Sequence, residues 1–97
     1  MENNQLPELV KSFLDSKGVE EELKEKIYQA VLALLMYDTT KLYNVLYRID
    51  INESLVKQAF NDSPTAETAA SRLTALIIER QLQKIEFRTR YPKNDIF

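Results

Sequence analysis

Asp50, Asn52 and Ser54 set oxygen-bearing side chains at alternate positions, as the first, third and fifth ligands of a calcium loop are set. The next requirement fails. The sixth position should be glycine for the sharp turn and is Leu55, and the twelfth should be a bidentate glutamate and is Asn61. The segment is better read as a helix cap leading into a polar helix face, and no metal is expected.

Three further constellations could do chemistry. Tyr28, Tyr37, Tyr43 and Tyr47 with Arg48 could stack on nucleobases, although tyrosine at helical spacing more often buries its ring at a core edge and keeps its hydroxyl in water. Arg80, Lys84 and Arg88 recur every four residues and, with Arg90, form a basic ridge suited to phosphate or to an acidic partner. Such ridges are usually solvated or paired with nearby acids. Asp38 and Asp50 would stand about 18 Å apart along one helix, too far to act on one bond.

The missing residue types exclude more than the present ones suggest. With no cysteine and no histidine there is no thiolate nucleophile, no imidazole proton shuttle and no common zinc ligand. No phosphate-cradling glycine loop or nucleophile elbow is present, so neither a catalytic residue nor a cofactor is assigned, and the chain is read as not an enzyme. The cysteine-free composition and the acidic, polar start suit the cytoplasm. The longest apolar run, Ala30 to Met36, is far short of the roughly 20 residues that span a bilayer, so no membrane segment is expected.

The net charge of −2 argues against binding nucleic acid over the whole surface. The distribution is polar all the same: residues 1–25 hold seven acids and three bases, and residues 80–97 hold five bases and two acids.

Ninety-seven residues, 44% of them hydrophobic, are enough for one core. With one glycine and three prolines there are few breakers, and all lie where helices should start or stop. The expected fold is all-α: a compact bundle of about five helices with a long C-terminal helix, in one domain spanning 1–97 with tails at 1–5 and 92–97. Pro7 opens a short first helix with Leu6, Leu9, Val10, Phe13 and Leu14 on one stripe, and Gly18 ends it. Glu20, Glu21 and Glu22 start a second helix that runs to about Met36 and is apolar nearly all round in its second half, as a central element would be. Asp38, Thr39 and Thr40 precede a third helix built on Leu42, Val45, Leu46 and Ile49. Asn52 caps a fourth, with Ile51 and Val56 as a hydrophobic staple and Leu55, Ala59 and Phe60 on its buried face. Ser63 and Pro64 start the fifth, free of breakers up to Pro92. The third and fourth helices resemble a helix-turn-helix in spacing, but the second of them offers only one base, and a bundle hairpin fits better.

Around the fifth helix, Ala70, Leu73, Leu76 and Ile77 fall between about 280° and 40°, counted from Ala66, and form the core face. Ile78, Leu82 and Ile85 fall near about 120°, 160° and 100°, a second apolar stripe that would either pack on the first helix or join two copies of the chain. Homodimerisation, or binding of another protein, is the expected partnership. The alternative is a small regulator that touches nucleic acid through the basic end. Structural salt bridges are expected to join Arg48 or Arg80 to Asp38, Asp50 or Glu79.

In the stretches Leu46–Glu53 and Ile77–Ile85 the chain resembles a group of short, uncharacterised bacterial helical proteins. The resemblance implies a small bacterial cytosolic protein and brings no activity with it.

Overall fold

The computed structural model describes residues 5–15 and 21–90, with side chains for 5–12 and 21–86. Among these residues every regular element is a helix: α1 (Leu6–Asp15), α2 (Glu21–Tyr37), α3 (Thr39–Arg48), α4 (Glu53–Asn61) and α5 (Ala66–Arg90). Gly18, the side chains of Phe13 and Leu14, and most of both expected tails lie outside the described residues.

Local chemistry sets the helix ends. Asp38 accepts a hydrogen bond from the backbone N–H of Lys41 at 3.1 Å, and Asn52 accepts from Ser54 at 2.8 Å, so both expected caps satisfy otherwise orphaned donors. Ile51 and Val56 are buried on either side of the Asn52 cap, as a staple requires. The start of α5 differs from expectation. Thr65 is its cap, accepting from the backbone N–H of Thr68 at 3.1 Å, while the Ser63 hydroxyl turns back and donates to the Ala59 carbonyl near the end of α4. Ser63 therefore closes one helix instead of opening the next, because α4 has carbonyls to satisfy within its reach.

The long α5 and the central α2 pack on each other, and α1 packs on both. α3 packs on α2, and α4 on α5. Leu6 and Val10 from α1, Ile27, Val31 and Leu34 from α2, Leu42, Val45 and Leu46 from α3, and Ala70, Leu73 and Ile77 from α5 form one buried cluster. Two expectations need correction. Although α2 packs on α1, α3 and α5, Ala33 and Met36 are exposed, because none of the described elements covers that side of its last turns. Leu55, placed on the buried face of α4, is 44% exposed, since the interior of α4 is met by Val56 and Ala59.

Candidate functional site

The turn after α3 is where the polar residues singled out by sequence converge. Helix α3 ends in a Schellman arrangement: the backbone N–H of Asp50 donates to the Tyr47 carbonyl at 3.1 Å, and that of Ile51 to the Leu46 carbonyl at 3.0 Å. This closure puts Asp50 in the left-handed region, φ 67°, where glycine is the usual residue and aspartate costs on the order of 1 kcal/mol. What the aspartate supplies is its side chain. Arg80 Nη2 lies 3.0 Å from Asp50 Oδ2, and Arg80 Nη1 donates to Gln83 Oε1 at 3.3 Å. One turn further along α5, Lys84 Nζ donates to the Ile49 carbonyl at 3.2 Å, placing positive charge on the negative end of α3.

Two of the four residues in the expected basic ridge thus close the C-terminus of α3. Their direction follows from the core face of α5, since Arg80 and Lys84 lie within about 60° of Ile77 on the helical wheel. The side chains of Arg88 and Arg90 lie outside the described residues. The stretches Leu46–Glu53 and Ile77–Ile85 meet here through these two contacts.

The remaining charged candidates stay apart. Arg48 is exposed and lines a wide recess shared with α1, Asp38 caps α3, and Glu79 is exposed beside a recess of about 310 Å³ between α5 and the turn into α4. Among the tyrosines, Tyr43 packs its ring against Tyr47 and Phe60, at centroid distances of 6.2 and 5.6 Å. Tyr28 is half-buried, whereas Tyr37 and Tyr47 are exposed, so the expected core-edge placement fails for Tyr37 at the end of α2.

In the second apolar stripe of α5, Ile78 and Ile85 are half-buried and Leu82 is 43% exposed. Sequence reasoning passed over Gln81, which is 1% exposed and whose Nε2 has no hydrogen-bond partner among the described residues. Its position was available: at about 60° on the wheel it continues the line of Ala70 and Ile77. Among the described residues no three His, Cys, Asp or Glu side chains are grouped to hold a metal ion, and no helix is long and apolar enough to cross a membrane. No family model matches the chain, and no curated protein or solved structure does either.

The Arg80–Asp50 contact gives a testable magnitude. Asp50 is largely in water and Arg80 partly so, which screens the pair. A double-mutant cycle with Asp50→Asn and Arg80→Gln, read by urea denaturation, is expected to yield a coupling of about 0.2–1 kcal/mol. A coupling indistinguishable from zero would mean that the two side chains do not meet in solution.

Proposed function

We propose that this protein is a non-catalytic interaction module that works by self-association through α5. The observation that carries this is Leu82, a large apolar side chain 43% exposed between the half-buried Ile78 and Ile85. Ile78 packs against the buried core, but Leu82 still meets water. An aliphatic strip left at the surface gains free energy when a second copy covers it. The inward use of Arg80 and Lys84 favours a protein partner over nucleic acid, because two cations that close a helix end contribute less to a phosphate-binding surface. The cysteine-free chain suits a reducing cytosol.

The test is sedimentation of the full chain. A dimer is expected at micromolar concentration, and Leu82→Glu is expected to shift it to monomer with the helical circular dichroism unchanged. A parent chain that stays monomeric at millimolar concentration would refute self-association.

A further inference from the structure

The α4–α5 face presents both halves of a self-complementary contact. Leu55 projects from α4, and next to it Ala59, Ala75 and Leu76, with Gln58, Asp62 and Arg72 at the polar side, line a recess of about 270 Å³. A projecting leucine beside a recess is what a twofold contact requires, since each copy must offer the surface that the other fills. Leu76 lies beside Leu55 at the junction of this recess with the one that Glu79 borders.

Charge on the same face is also reciprocal. Arg72 and Glu79 are exposed, and neither has an ion-pair partner among the described residues. They are seven residues apart, about 20° short of two full turns at roughly 100° per residue, so they share one side of α5 about 10 Å apart. The midpoint between them falls at Ala75 and Leu76. An antiparallel copy of α5 turned about that midpoint sets Arg72 opposite Glu79 of the second copy, and the twofold axis repeats the pair. A parallel arrangement would instead set like charges together. Ala75, exposed at the crossing, has no side chain bulky enough to hold the two helices apart.

We propose that a second copy of this chain docks on the α4–α5 face, with the two α5 helices antiparallel about Ala75 and Leu76 and two reciprocal Arg72–Glu79 pairs. Leu55 of each copy enters the Ala59–Ala75 recess of the other. This arrangement presupposes self-association through α5 and places its centre at Ala75, with Leu82 toward the edge.

A charge exchange tests the pairing, and both residues are exposed, so folding can be checked separately by circular dichroism. Arg72→Glu sets two acids opposite one another twice and is expected to weaken the dimer by about tenfold or more. Glu79→Arg alone should do the same with two bases, and Arg72→Glu with Glu79→Arg in one chain should return the dissociation constant to within about threefold of the parent. Sedimentation equilibrium at low salt reads all four proteins. If the single variants dimerise like the parent, or the exchanged chain fails to recover, the antiparallel pairing is overturned. If in addition Leu82→Glu is monomeric, self-association stands with the Ile78–Leu82–Ile85 stripe as its centre. A monomeric parent overturns both.

Discussion

Leu46→Ala is expected to lower the unfolding free energy by about 2–5 kcal/mol, enough to leave a domain of this size barely folded. Leu46 has no exposed surface and sits in the single cluster to which α1, α2, α3, α4 and α5 all contribute. Its truncation removes apolar contacts and leaves a void that the surrounding helices can close only in part. The same residue fixes the chain reversal into α4, because its carbonyl accepts the Ile51 N–H that completes the end of α3. Alanine keeps that carbonyl, so the turn that holds Asp50 and Ile49, onto which Arg80 and Lys84 close, is affected only through the packing lost beneath it. Leu55→Ala is the matched control. Both are leucine truncations on neighbouring helices, but Leu55 is 44% exposed and should cost less than about 1 kcal/mol when measured below the dimer dissociation constant. Urea denaturation of the two variants beside the parent reads the contrast. Equal losses for Leu46 and Leu55 would mean that the interior is placed wrongly.

The contrast between those leucines also marks how far the sequence could be read. Helix existence was legible because apolar residues recur with helical period between few breakers, and Asp38 and Asn52 gave the starts of α3 and α4. Whether one flank of a helix is covered depends on elements far away in the chain, which periodicity does not contain. Leu55 satisfies the apolar pattern of α4 and Tyr37 that of α2, yet neither is enclosed, since α4 buries Val56 and Ala59 instead and none of the described residues covers the end of α2. The polar site was half legible. That Arg80 shares a side with Leu73 and Ile77 implied a carboxylate partner or a route to water, and Asp50 was among the candidates. Which one it meets, 30 residues away, is set by where the left-handed turn at Asp50 directs its side chain. The pairing of Lys84 with a backbone carbonyl had no signal at all, because every residue carries one.

Gln81→Met is expected to stabilise the protein by about 1–2 kcal/mol, the gain from removing a buried polar group that has no partner among the described residues. Burial of Gln81 follows from its place one turn beyond Ile77 on the core face of α5, and its Nε2 donor has no acceptor among the described residues. Methionine keeps a straight chain of similar length and a comparable helix propensity, so neither packing volume nor backbone preference changes much. The remaining difference is the desolvation of the amide, which an isolated donor does not recover. A domain of this length should show the gain as a rise in melting temperature of about 5–10 °C. Gln81→Ala separates polarity from packing: it also removes the amide but leaves a cavity, and the void cost of about 2–3 kcal/mol should exceed the relief. The ordering expected in thermal melts is therefore Met above Gln above Ala. If methionine lowers the melting temperature instead, the Gln81 amide has an acceptor in the folded protein, and the change from apolar to polar residues along α5 between Ile77 and Lys84 is a bonded network that holds the helix in register.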